Sequence, residues 1–227
     1  MRVLAIDTAL EACAAAVLDT AAGTLTAHET LAMQRGHAEA LMPLVARVMQ
    51  RAAATFADLD RIAVTTGPGS FTGLRVGIAA ARGIALAAGK PAVGITTLAA
   101  YAAPFIAKDD SLPVVAAIDA RHEHVYLQVF GAGGRTIVSP RILPLREALR
   151  IAATGSPRVT GTGAAMLAAH WPAGEKPPCA VEQRSAPDVD WVARLGALAT
   201  ETAAAVKPLY LRAPDAQPQD ASRLARR

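Results

Sequence analysis

Thr66-Gly67-Pro68-Gly69-Ser70-Phe71-Thr72-Gly73-Leu74-Arg75 joins an apolar run, Ile62-Ala63-Val64, to an apolar helical pattern from Val76 to Ala88. A strand, a tight turn and a helix start are written into one segment. Gly67 and Gly69 permit backbone angles that side chains forbid, and Pro68 fixes its own φ. Ser70 and Thr72 are both able to cap bare N–H groups of the first helical turn. Such a turn either cradles an anion or simply starts a helix, and the function depends on which.

Outward from this turn, the chain alternates strands and helices. Residues 2–7, 11–18 and 24–32 read as strands, and 36–53 as a helix. Strand 62–66, helix 72–88, strand 92–96 and helix 97–107, bent at Pro104, follow. The pattern then restarts: strands at 113–119, 125–130 and 136–142, helix 144–153, strand 158–161 and helix 163–170. After a loop at 172–178, a helix spans 188–206, with Asp188 as N-cap. The order strand-strand-strand-helix-strand-helix appears twice. It predicts an α/β protein of two similar domains, 1–106 and 107–212, followed by a polar, proline-spaced, disordered tail, 213–227.

Bulk properties exclude several classes. The chain has 227 residues, 52% hydrophobic and only 4% aromatic, so many helix positions are small and closely packed. Net charge is +4, and the last 20 residues carry half of it. That is a small excess rather than a dense basic face, so direct nucleic-acid binding is not expected. Cys13 and Cys179 are too few for a disulfide framework or a zinc site. Asp7 interrupts any apolar signal core, and Arg82 and Lys90 break the one long apolar stretch. A cytoplasmic protein with no membrane span is expected.

The helix at 36–53 has surplus apolar surface. On a helical wheel His37, Ala38, Leu41, Met42, Leu44, Val45, Val48, Met49 and Ala52 cover an arc of roughly 160°, where one sheet needs about 100°. Either the helix is buried on two sides in its own domain, or Met42, Val45 and Met49 face a partner, a role suited to methionine. In the next helix Gly73, Gly77 and Ala81 recur every four residues, as do Ala80 and Ile84. Such rows let another helix approach closely. The expected interface therefore comprises His37, Leu41, Met42, Val45, Met49, Gly73, Gly77, Ala80 and Ala81.

No catalytic constellation accompanies it. The central turn lacks the Gly-Lys-Ser/Thr end of a P-loop, and its spacing is wrong for a nucleophile elbow. Among His28, His37, His122, His124 and His170 none are four apart. His122 and His124 would share one strand face, with Tyr126 and Gln128 on the same wet side. They lack an evident third ligand. Asp7 and Asp119 each end the first strand of a half. Carboxylates there either meet a magnesium–nucleotide or cap the following turn, the second being the default. Asp7, Thr8, Gly67, Gly69 and Ser70 are the weak candidates for nucleotide contact.

Five segments together resemble the TsaB (YeaZ) family, the bacterial subunit needed for threonylcarbamoyladenosine in tRNA. They are Leu4–Thr8, His37–Pro43, Gly67–Gly77, Asp119–Arg121 with Val125-Tyr126, and Pro208–Arg212. The third is the specific one. His124 stands where family members often carry an acidic residue. The resemblance implies an actin-like ATPase (ASKHA) fold of two ribonuclease-H-like domains and a non-catalytic role. It also implies a metal-bearing TsaD-like catalytic partner, a TsaE-like ATPase, a homodimer when alone, ATP or ADP only at the complex junction, and tRNA contacted indirectly. The alternatives are an M22-like metallo-glycopeptidase, which needs a metal or activated nucleophile, and an ATP-dependent phosphotransferase, for which fold is no warrant.

Overall fold

A computed structural model describes residues 1–201 and 204–212. The tail expected at 213–227 lies outside the described residues.

The first half holds β1 (Arg2–Asp7), β2 (Ala12–Asp19), β3 (Thr24–Ala32), α1 (His37–Arg51), β4 (Arg61–Gly67), α2 (Phe71–Ala88), β5 (Ala92–Thr96) and α3 (Thr97–Lys108). The second holds β6 (Val114–Asp119), β7 (His124–Phe130), β8 (Thr136–Pro144), α4 (Leu145–Ala152), β9 (Arg158–Thr160), α5 (Ala164–Ala169), β10 (Ala180–Glu182) and α6 (Val189–Leu198). The repeat is therefore longer than the pattern read from the sequence: each half closes with a further strand and helix. The two five-stranded sheets have the same topology, β3-β2-β1-β4-β5 and β10-β9-β6-β7-β8. In each the first strand is central, antiparallel to the second and parallel to the fourth.

β1 is apolar at consecutive positions because both sheet faces are covered. Leu4 and Ile6 pack with Leu44, Val45 and Val48 of α1 and Leu74, Ile78 and Ala81 of α2. Val3 and Ala5 pack instead with Val189, Val192 and Ala193 of α6, which belongs to the other half. The second sheet mirrors this: Val115 and Ala117 meet α4 and α5, while Val114, Ala116 and Ile118 meet Leu98, Tyr101 and Ala102 of α3. The last helix of each half thus covers the inner face of the opposite sheet.

A buried arginine fastens each exchanged helix. Arg61, the first residue of β4, donates from Nη1 to the carbonyls of Gly196 (2.8 Å) and Ala199 (2.6 Å) and from Nη2 to Glu201 (2.7 Å). Arg158, the first residue of β9, donates from Nη1 to the carbonyl of Phe105 (2.9 Å) and from Nη2 to those of Asp109 and Leu112. A cation placed on the last carbonyls satisfies orphan acceptors and opposes the negative helix end. It also explains why α6 stops at Leu198 rather than continuing to Val206, although no breaker stands in the sequence. Pro104 does not end α3, which runs through to Lys108.

By length and composition α2 is long and apolar enough to span a membrane, with a mean hydropathy of 1.3, despite Arg82. One side of it packs on the sheet through Leu74, Ile78 and Ala81.

Candidate partner-binding surface

The turn after β4 packs onto the end of β1 and uses its own main chain to do so. The Ser70 amide donates to the Ala9 carbonyl at 2.7 Å, and Thr8 Oγ1 donates to the Gly73 carbonyl at 2.7 Å. Built Cβ atoms on Gly69, Gly73 and Gly77 would lie 2.3 Å from Ala9 O, 2.1 Å from Thr8 O and 2.3 Å from Thr8 Oγ1. Gly73 and Gly77 of the small-residue row therefore face the β1 end of the same chain, Ala81 lies in the core, and all three residues are buried. This corrects the expectation that the row greets a neighbouring helix: helix and strand-end neighbours demand the same small side chains. Ser70 caps α2 by accepting from the Gly73 amide at 3.3 Å, whereas Thr72 sits inside the helix. Gly67, with φ +108°, carries the chain into the turn.

The two strand-end aspartates behave as turn caps. Asp7 Oδ1 accepts from Ala9 N (3.1 Å) and Thr65 Oγ1 (2.6 Å), and Asp119 Oδ1 accepts from Arg121 N (2.7 Å). Asp119 is exposed. Asp7 is fully buried, and its Oδ2 has no hydrogen-bond partner. Burial pushes the Asp7 carboxyl above its ordinary range, against the opposing pull of the Thr65 and Ala9 hydrogen bonds and the His37 charge. An open cleft of about 470 Å³, lined by Glu11, Thr30 and Gln183–Asp188, includes none of Asp7, Thr8, Gly67, Gly69 and Ser70.

His122 and His124 do not share a strand face. His122 lies in a turn where Arg121, His122 and Glu123 all have positive φ, and only His124 enters β7. The side of β7 expected to be wet is covered by α3, so Gln128 is buried. Among the described residues no group of three His, Cys, Asp or Glu is placed to hold a metal.

Of the expected interface residues, Leu41, Val45, Met49, Gly73, Gly77 and Ala81 point into the core, and His37 is buried with its Nε2 3.1 Å from the Leu10 carbonyl. Ala80 is half-buried. Met42 alone is openly exposed, at 47%. Much of the wide arc on α1 is thus consumed by the sheet and α2. Yet the outer side of the helix pair remains apolar: Ala38, Met42 and Ala46 on α1, and Phe71, Ala79, Gly83, Leu86 and Ala87 on α2. Leu86 is 86% exposed.

Sequence reasoning missed how this surface is buttressed. Segment 207–212 returns to the turn. The Leu209 amide donates to the Thr66 carbonyl at 2.8 Å, and Arg75 Nε donates to the Tyr210 hydroxyl at 3.1 Å. Phe71 and Tyr210 stack with centroids 5.2 Å apart, and the Arg75 guanidinium lies 3.7 Å above the Phe71 ring. Arg212 Nη1 donates to the Ala120 carbonyl of the second half at 3.3 Å. Two of the segments that carried the family resemblance, far apart in sequence, therefore meet in space.

Two sheets of one topology, each with outer helices of its own and an inner helix from the other half, define the actin-like ATPase fold class. Likeness to an inorganic polyphosphate/ATP-glucomannokinase from Arthrobacter, TM-score 0.51 at 14% identity over 87% of this chain and 98% of that one, lies at the level of fold alone. The family model described as TsaD, tRNA N6-adenosine threonylcarbamoyltransferase, matches residues 26–179. The structure of YeaZ from Pseudomonas aeruginosa superposes with a TM-score of 0.75 at 29% identity, over 92% of this chain and 99% of that one. TsaB of Escherichia coli, a tRNA threonylcarbamoyladenosine biosynthesis protein, is 42% identical over 126 residues, 56% of this chain. That match spans 53%, about half, of the E. coli protein. The chain belongs to the TsaB/YeaZ family, within the TsaD superfamily.

Proposed function

We propose that this chain is a non-catalytic subunit of the machinery that installs N6-threonylcarbamoyl on adenosine 37 of tRNA. In this reading it supports a TsaD-like catalytic subunit together with a TsaE-like ATPase, pairs with itself when alone, and meets tRNA only through the assembly. ATP or ADP belongs to the junction of the complex rather than to this chain. The observation that carries the reading is the outward apolar side of α1 and α2, where Met42, Phe71 and Leu86 are exposed. Exposed contiguous apolar surface of this kind marks an interaction site.

Neither rival has a favouring observation. A peptidase needs a metal or an activated nucleophile, and the Ser70 hydroxyl caps a helix. A phosphotransferase needs amides free to hold phosphate, and the Ser70 amide is committed to Ala9. Reconstitution of tRNA modification with each subunit omitted in turn tests the proposal. Product formation should require this chain, while the chain alone should show no proteolysis and no micromolar ATP binding. Full modification without it contradicts the reading.

A further inference from the structure

The outer side of α2 is apolar but not neutral. Arg75 and Arg82 are its only charged residues, and both are exposed. Among the described residues neither guanidinium has a carboxylate within 4.0 Å. On α1, by contrast, Arg47 and Arg51 share the Glu29 carboxylate. Arg75 is also held in place. Its Nε is engaged by the Tyr210 hydroxyl and its plane rests on Phe71, so no hydrogen bond within the described residues occupies its two terminal nitrogens. A planar fork fixed in this manner loses little freedom on accepting a carboxylate in two-point contact.

We infer that the α2 face discriminates between partners: a different chain presenting acidic side chains to Arg75 and Arg82 binds it more tightly than a second copy, which pairs with it only when that chain is absent. The inference rests on the partner-surface reading above and adds the chemistry of the partner. In a two-fold pairing through α2 the same surface meets itself. Both guanidinium groups of one copy then approach those of the other while losing water, which is the repulsive element that specificity requires. An acidic surface turns the same two charges into steering and pairing groups. The one acidic residue on the exposed side of α1, Glu39, is the group of a second copy able to reverse this balance.

The test compares two equilibria of the full-length chain: self-association by sedimentation, and binding to the TsaD-family catalytic subunit of the same organism by titration calorimetry. Raising NaCl from about 0.05 M to about 0.5 M, which shortens the screening length severalfold, should weaken the mixed complex and tighten self-association. Arg75→Gln/Arg82→Gln should do the same at low salt, by about tenfold in each direction. If salt and the double substitution shift both equilibria the same way, or loosen self-association, the charge argument fails. Met42→Asp separates this from the parent proposal. If it leaves the mixed complex intact, the surface itself is misassigned. If it abolishes the complex while the salt series lacks opposite signs, only the partner chemistry is refuted.

Discussion

Gly73 and Gly83 stand on the same helix and have opposite expected responses to alanine. A Cβ on Gly73 meets the Thr8 carbonyl at 2.1 Å, a main-chain atom fixed by the sheet, whereas nothing lies within 4 Å of a Cβ on Gly83. Helix propensity favours alanine by up to about 1 kcal/mol at both sites, but overpacking costs about 1–3 kcal/mol at the first. Thermal unfolding should show Gly73→Ala destabilised and Gly83→Ala slightly stabilised; equal shifts would mean that α2 is not seated on Thr8. Asp7 supplies a second prediction. Its folded-state pKa is raised above the ordinary 3.8 by burial. The native state therefore holds a proton that the unfolded state has released, and stability falls as pH rises from near 4 through the raised pKa. Asp7→Asn keeps an acceptor for Thr65 and Ala9 and removes the charge. It should gain stability relative to the parent between pH 4 and pH 7, as read by melting temperature. A parent that becomes relatively more stable with rising pH contradicts the account. Val45 has no exposed surface, so Val45→Asp should unfold the chain by burying an unpaired charge. Periodicity placed Val45 and Met42 on one arc; it does not say which part of that arc the rest of the fold covers.

At the scale of elements, β1, β3, β5 and the repeat of three strands followed by a helix were legible because local pattern specifies them. What escaped the sequence is set by distant partners. The short β10 has only three residues and depends on pairing with β9. The end of α6 depends on Arg61, whose nearest helical acceptor is 135 residues away. The role of the strap formed by 207–212 is set by its contacts with Thr66, Phe71 and Arg75, none of them near it in sequence. An arginine at the start of a short strand, in both Arg61-Ile62-Ala63 and Arg158-Val159-Thr160, is the sequence signal from which the helix exchange could have been sought. Arg61→Met and Arg158→Met should each cost about 2 kcal/mol or more, because buried carbonyls lose their donors. Chemical denaturation by two probes, one in each half, should show both halves melting together less cooperatively in either variant. An unchanged midpoint would show that the clamps are incidental.

For the whole molecule, the exchange of α3 and α6 makes each half complete only with a helix from the other and leaves an outer helix pair on each half, α1–α2 and α4–α5, of which α1–α2 exposes Met42, Phe71 and Leu86. The twofold sequence repeat announced the symmetry, and the family segments announced the class. Which part of the α1 arc stays uncovered was not legible, since a wide apolar arc reads the same whether a sheet or a partner covers it. The most direct test is the affinity of the TsaD-family catalytic subunit for the Met42→Asp variant, measured beside Val181→Asp, which changes an exposed apolar residue on β10 of the other half. Both variants should remain folded. The account predicts that binding is lost in Met42→Asp and kept in Val181→Asp; binding that survives Met42→Asp unchanged would contradict it.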